Sequence, residues 1–182
     1  QEAMAYTKKK EIYVRFMDKS RVAMAGHWDK ANNYVRGIED YLLTEQYRRP
    51  EHQQKVVEDI LDNWIQYSQN NKFHGMFATS SIAEAIEYYR LFKKLKPKLK
   101  ITALFDPNID NNENAKFKED GLVEIISDYN NRYGMEFSLA THAKMKRDIA
   151  DRLAHKELYK RVEHTPEKQL ELLIVVDQML TG

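Results

Sequence analysis

Cysteine is missing altogether from this chain. That excludes a disulfide framework and every cysteine-ligated zinc site. It fits a cytoplasmic protein, which is our expectation, but does not demand one. An excess of one charge is missing too: 29 basic against 28 acidic residues leave a net charge of +1 over 182 residues. A polyanionic partner would have to be met by a local basic face, because there is no global field to attract it. Long apolar runs are absent. The longest wholly aliphatic stretch is Leu172 to Val176, far short of the roughly 20 residues that cross a bilayer. No N-terminal signal segment is visible, so no membrane partner is expected. There is no repeat and no low-complexity segment.

Several chemical signatures are absent as well. The chain has no Gly-x-x-x-x-Gly-Lys-Ser/Thr loop and no Gly-x-Gly-x-x-Gly fingerprint. His52, His74, His142, His155 and His164 lack His-x-x-x-His spacing, and His27 stands alone. Scattered histidines are more often structural or exposed than ligating, so no metal site is expected. No complete catalytic constellation is present, and no catalytic residue is assigned.

What is present is a globular composition, 42% hydrophobic and 31% charged, with length for one substantial domain and an accessory segment. The chain is organised around residues 72–100. Lys72-Phe73-His74-Gly75-Met76-Phe77-Ala78 is a short apolar run that predicts a buried strand. It stops at three hydroxyls, Thr79, Ser80 and Ser81. Ile82, Ala85, Ile86, Tyr89 and Phe92 then recur at helical spacing. Ser81 and Glu84 form a Ser-x-x-Glu capping box, which predicts a helix from Ile82; Pro97 lies past its end. A strand, a hydroxyl-rich turn and a helix place that turn at the carboxyl edge of a sheet, where α/β proteins bind ligands. Free amides and hydroxyls at a helix start can hold a phosphate. The plainer alternative is a helix cap with no ligand.

Before this stretch, Ile12, Val14 and Phe16 alternate as an edge strand would, after the charge run Lys8-Lys9-Lys10. Asp29 to Tyr47 carries Tyr34, Ile38, Tyr41, Leu42 and Tyr47 at roughly helical spacing. Glu51 to Asn70 predicts a clear helix, with Val56, Val57, Ile60, Leu61 and Trp64 on one face and Asn70-Asn71 closing it. The pattern changes near residue 71, so we expect a mainly helical lead-in at 1–70 and an α/β domain at 71–182. In that domain Leu99 to Asp106 predicts a second strand. Glu113 to Arg132 predicts a helix capped by Gly134, and Thr141 to His155 another. Thr165-Pro166-Glu167 is a helix start of the cap–proline–acid kind. Leu172 to Val176 is a continuous apolar run ending at Asp177, as in strands buried on both faces of a parallel sheet. Strands alternating with helices predict an α/β fold.

Asp106 and Asp177 each end a predicted strand, where acids bind Mg²⁺ or a ribose or merely cap a loop. Lys93, Lys94, Lys96, Lys98 and Lys100 form one local basic cluster. Lys144, Lys146, Arg147 and Arg152 form a second. Each is a solvated face or a nucleic-acid path.

Two of these stretches together carry a resemblance. Lys72 to Tyr89 resembles the start of the second RecA-like domain in the motor subunit of type I restriction enzymes. Leu172 to Gly182, ending Asp177-Gln178-Met179-Leu180-Thr181-Gly182, resembles a later motif of the same domain. The resemblance covers about residues 51–182 and implies a RecA-like parallel sheet flanked by helices. It also implies a parent protein that hydrolyses ATP with Mg²⁺, translocates double-stranded DNA and cuts it. That parent would work with modification and specificity subunits and with a first RecA-like domain on its own chain. It maps DNA-backbone contact onto Thr79, Ser80, Ser81 and Thr181, and the nucleotide side of the cleft onto Gly182. The phosphate-binding loop, the acidic Mg²⁺ motif, the final arginine motif and the nuclease are not in these 182 residues. The chain is therefore expected to be an excised piece of a longer protein, without bound ATP and without ATPase or nuclease activity of its own. The rival readings are the equivalent domain of another superfamily 2 motor, and a non-enzymatic α/β interaction domain.

Overall fold

A computed structural model describes residues 25–37, 39–41, 47–106 and 114–176. By its internal contacts the chain divides into two units, Gln1–Gln53 and Gln54–Gly182. The expected strand at 12–16 and the lysine run at 8–10 lie outside the described residues.

In the first unit, strands β1 (His27–Trp28) and β2 (Tyr34–Val35) form an antiparallel hairpin, with Trp28 opposite Tyr34. The helical reading of 29–47 is thereby corrected over 29–37. The Asp29 carboxylate accepts from the amides of Ala31 and Asn33 at 2.9 and 2.8 Å, and Asn32 takes a left-handed φ of 63°. Asp and Asn side chains that bond the backbone ahead of them stabilise turns in competition with helix. A single 3₁₀ turn follows at Glu39–Tyr41. The Tyr34 and Asp40 side-chain ends close over Gly26, in the space a Cβ would take.

Helix α1 (Pro50–Asp62) and the short α2 (Trp64–Tyr67) occupy the span read as one helix. The break is at Asn63, and three consecutive left-handed residues, Gln69, Asn70 and Asn71, end the segment. Asn71 accepts from the Trp64 indole at 2.9 Å, so this closure is tied to a buried aromatic.

The second unit is built on a parallel sheet of β3 (Gly75–Thr79), β4 (Ile101–Leu104) and β5 (Leu172–Val176), in the order β3-β5-β4. Helices α3 (Ile82–Leu95), α4 (Ala115–Tyr133) and α5 (His142–Leu153) flank it. This is an α/β, RecA-like architecture. The central strand β5 is buried at every residue, as its unbroken aliphatic run requires. β3 departs from expectation. It is an edge strand among the described residues, and Met76 is 55% exposed. With only one neighbouring strand and one covered face, its inward residue Phe77 alone meets the aromatics of α3. The Phe77 ring stands 4.8 Å from Tyr88 and 6.0 Å from Phe92.

Helix α3 buries Ile82, Ala85, Ile86, Tyr88, Tyr89 and Phe92 and packs on α4 through a glycine. A Cβ on Gly121 would fall 2.5 Å from Ile86 Cδ1. Glycine inside a helix costs about 1 kcal/mol relative to alanine, a cost offset here by the close approach it permits. Across the same seam Tyr89 donates to Asp128 at 2.7 Å, Arg90 pairs with Glu124 at 2.7 Å, and Lys93 pairs with Asp128. Gly134 ends α4 in the left-handed conformation, φ 64°, as its position predicts. The Pro166 start yields only a single 3₁₀ turn, Pro166–Lys168, because β5 begins too soon after it for a helix.

Candidate phosphate-binding turn

Thr79 ends β3, and its partner in the ladder is Val176, the last residue of β5. The hydroxyl turn and the root of the segment 177–182 therefore stand side by side at the carboxyl edge of the sheet. They are nearly a hundred residues apart in sequence and adjacent in space. Asp177, Thr181 and Gly182 themselves lie outside the described residues.

The three hydroxyls of the turn have different surroundings. Thr79 is only 4% exposed. Its hydroxyl is 3.2 Å from the carbonyls of both Val175 and Ser81, to which it donates. It thus bolts the turn to the central strand and has no hydrogen left for an outside acceptor. Ser81 is the N-cap of α3: its extended backbone (φ −152°, ψ 162°) starts the helix and its hydroxyl accepts from the Glu84 amide at 3.2 Å. Ser80 is exposed. The predicted capping box forms with one change of register. The Glu84 carboxylate passes over Ser81 and accepts from both the amide and the hydroxyl of Ser80, each at 2.7 Å. An anion thus already occupies the donors at the mouth of the turn, and it comes from the chain itself.

The predicted basic faces resolve differently. Lys93 is spent on Asp128, and Lys100 on Glu171 at 3.8 Å and on the Pro166 carbonyl at 2.7 Å. Lys94, Lys96 and Lys98 remain exposed. They lie at the end of α3 and before β4, hence at the amino edge of the sheet. A helix of 14 residues separates them from the hydroxyl turn by about 20 Å. In the second cluster Arg152 does not belong to the surface at all. It is 2% exposed, with its guanidinium 3.7 Å from the Tyr133 ring centroid and 4.3 Å from that of Tyr159. It donates to the hydroxyls of Tyr129 and Tyr159, to Asp148 and to the Lys168 carbonyl. Burial, and then hydrogen bonds to Asp148, push the Tyr129 and Tyr159 hydroxyls well above the ordinary tyrosine range; burial pushes Tyr133 up to about 12. All three stay neutral donors. Helical spacing alone groups Arg152 with Lys144; Tyr129 and Tyr133, one helical turn apart, are the sequence signal for an aromatic face that encloses a flat cation.

Asp106, at the end of β4, is 3.7 Å from Lys146. Next to them the His142 imidazole begins α5 only 8% exposed, and its Nε2 has no hydrogen-bond partner. Burial first, then the Lys146 charge, lower its pKa, and Asp106 opposes this. Among the described residues no group of three or more His, Asp or Glu side chains is arranged to hold a metal ion, and no helix is long and apolar enough to cross a membrane.

The parallel three-stranded sheet flanked by helices puts the chain in the α/β class with a RecA-like architecture, and the hydroxyl-rich strand-to-helix turn lies at its carboxyl edge. Residues 71–182 match the family described as type I restriction enzyme subunit R domain 3, and the chain belongs to that family. It is similar to the type I restriction enzyme endonuclease subunits SauCOLORF180P, SauMSSORF170P and SauMRSORF196P of Staphylococcus aureus strains COL, MSSA476 and MRSA252. Identity to each is 30% over 135 residues, covering 70% of this chain and 14% of each relative. The chain thus corresponds to a small part of the curated relatives it matches.

Proposed function

We propose that this chain is the DNA-gripping part of an ATP-dependent translocase, carried on the restriction subunit of a type I restriction–modification system. The observation that supports this most is the Thr79–Val176 pairing. It brings an exposed serine at a helix start to the sheet edge where ligands bind, next to Val176, after which the sequence continues to Thr181-Gly182. With the Glu84 carboxylate displaced, Ser80 offers an amide and a hydroxyl, Ser81 a helix N-terminus, and together they suit one phosphate of a DNA backbone. Thr79 acts from behind, holding the turn on β5. Contacts of this kind position a duplex without reading its bases.

ATP and Mg²⁺ belong to other segments of the longer protein in this reading, with Gly182 as this chain's contribution to the cleft. The described residues do not fit a nucleotide: Asp106, the described acid at a strand end, already faces Lys146, and the sequence has no phosphate-binding loop. Modification and specificity subunits, and a cytoplasmic location, follow from the same reading.

The test is a Ser80→Ala/Ser81→Ala double variant in the assembled restriction enzyme. Translocation should slow at least tenfold while ATP hydrolysis without DNA is unchanged. Translocation at the wild-type rate would overturn the assignment.

A further inference from the structure

At the opposite end of the sheet the structure brings together two sets of cations that are far apart in sequence. Lys94, Lys96 and Lys98 surround the turn between α3 and β4. Lys160, Arg161 and Lys168 lie in the connection that leads from α5 into β5. The two segments are joined at Lys100, whose Nζ donates to the Pro166 carbonyl at 2.7 Å and whose own carbonyl accepts from the amides of Glu171 and Leu172 at 2.8 and 3.1 Å. The 3₁₀ turns Val162–His164 and Pro166–Lys168 pack on one another, so this connection forms one compact edge.

All six cations are exposed, and among the described residues none makes an ion pair. Their neighbours Lys93 and Lys100, by contrast, are neutralised by Asp128 and Glu171. The 155–170 connection carries three carboxylates, Glu157, Glu163 and Glu167, half the number of these six cations. In a chain with a net charge of only +1, this is a local concentration of positive charge.

We propose that this amino edge is a second contact for the phosphate backbone of double-stranded DNA, separate from the hydroxyl turn. Five of the six groups are lysines. Lysine serves phosphate as a flexible point charge, whereas it is depleted in interfaces between proteins, where arginine and aromatics dominate. With helix α3 about 20 Å long between the two sites, one duplex lying along the domain would meet the edge and the turn more than half a helical turn apart. The edge holds the duplex without reading sequence. The inference rests on DNA being the substrate of the longer protein, but not on the hydroxyl turn being its grip.

The experiment measures affinity of the chain for mixed-sequence duplexes by fluorescence anisotropy between roughly 50 and 200 mM salt. Wild type is compared with Lys94→Gln/Lys96→Gln/Lys98→Gln and with Ser80→Ala/Ser81→Ala; poly-glutamate serves as the competing polyanion. Each neutralised phosphate contact contributes about 0.9 to the slope of log affinity against log salt. The lysine variant should therefore lose between about 2 and 3 in slope, and at least tenfold in affinity at the lowest salt, equally for unrelated sequences. The serine variant should keep the wild-type slope to within about 1. A lysine variant that binds like wild type overturns the proposal, even if the serine variant fails. So does a wild-type chain that binds no duplex, or that prefers poly-glutamate. Loss in the lysine variant alone supports the edge whatever becomes of the turn. Circular dichroism melts confirm that all variants are folded.

Discussion

Glu84 holds Ser80 by both of its donors, amide and hydroxyl, at 2.7 Å each. The carboxylate stabilises the start of α3, and it stands where a phosphate oxygen would sit. These two effects oppose one another and can be separated. Glu84→Ala should lower unfolding stability by about 1 kcal/mol, as the loss of a solvent-exposed cap does. The same change should tighten duplex binding by up to about fivefold, because a like charge close to a phosphate in water costs about 1 kcal/mol or less. Urea unfolding and anisotropy titration read the two quantities. Binding that weakens in step with stability would show that the carboxylate only supports the turn.

Gly121 is required by its neighbour. Gly121→Ala gains about 1 kcal/mol in helix propensity, but forces the Ile86 side chain aside at an overpacking cost of about 1–3 kcal/mol. Net destabilisation of about 1 kcal/mol is expected. Adding Ile86→Val should recover most of it, and denaturant midpoints of the two single variants and the pair give the coupling directly.

Arg152 should be among the most sensitive positions in the second unit. Removing it by Arg152→Met leaves Asp148 charged and enclosed with no cation, a change that costs about 3–5 kcal/mol in buried pairs. Arg152→Lys should also destabilise, since an ammonium cannot fork between Asp148, two tyrosines and a carbonyl while stacking on Tyr133. If chemical denaturation shows Arg152→Lys to be as stable as wild type, the stacked fork is not what holds α4, α5 and the lead into β5 together.

His142 gives a pH dependence of known sign. Burial and Lys146 lower its folded pKa, so the folded state takes up a proton less readily than the unfolded chain. The stability it contributes is complete above the unfolded histidine pKa of about 6.5. It falls as pH drops below that value toward the folded pKa. His74, shifted the same way by partial burial and by His155, adds to the effect. In His142→Leu the loss of stability between about pH 7 and 5 should be visibly smaller, measured by urea midpoints across the range.

What could be read in advance was whatever depends on a residue's own chain neighbours. The period of Ile82 to Phe92, the cap at Ser81, the left-handed stop at Gly134 and the double burial of Leu172 to Val176 all follow from local pattern, and all are found. What could not be read was whatever depends on a partner brought from elsewhere. The apolar run ending at Ala78 reads as buried, yet Met76 and Ala78 are exposed because among the described residues nothing covers their face of β3. Lys93, Lys94 and Lys96 look alike in sequence; Asp128 on another helix separates the first from the rest. Arg152 shares a helical face with Lys144 only until three tyrosines from outside that helix enclose it. The hydroxyl turn was visible as a motif, but the part Thr79 plays was not, because its acceptor on Val175 is 96 residues away in sequence.

That bond has a mechanical meaning. β3 and β5 run in the same direction in matched register, with Thr79 tied to the last residues of β5. A force applied at the turn and directed along the strands loads their ladder in shear. The hydrogen bonds of a parallel pair are evenly spaced, so they carry such a load together and cannot open one after another. The β3–β5 ladder therefore resists a pull along its strands with all its bonds at once, and the hydroxyl turn lies at one end of that axis and the lysine edge at the other.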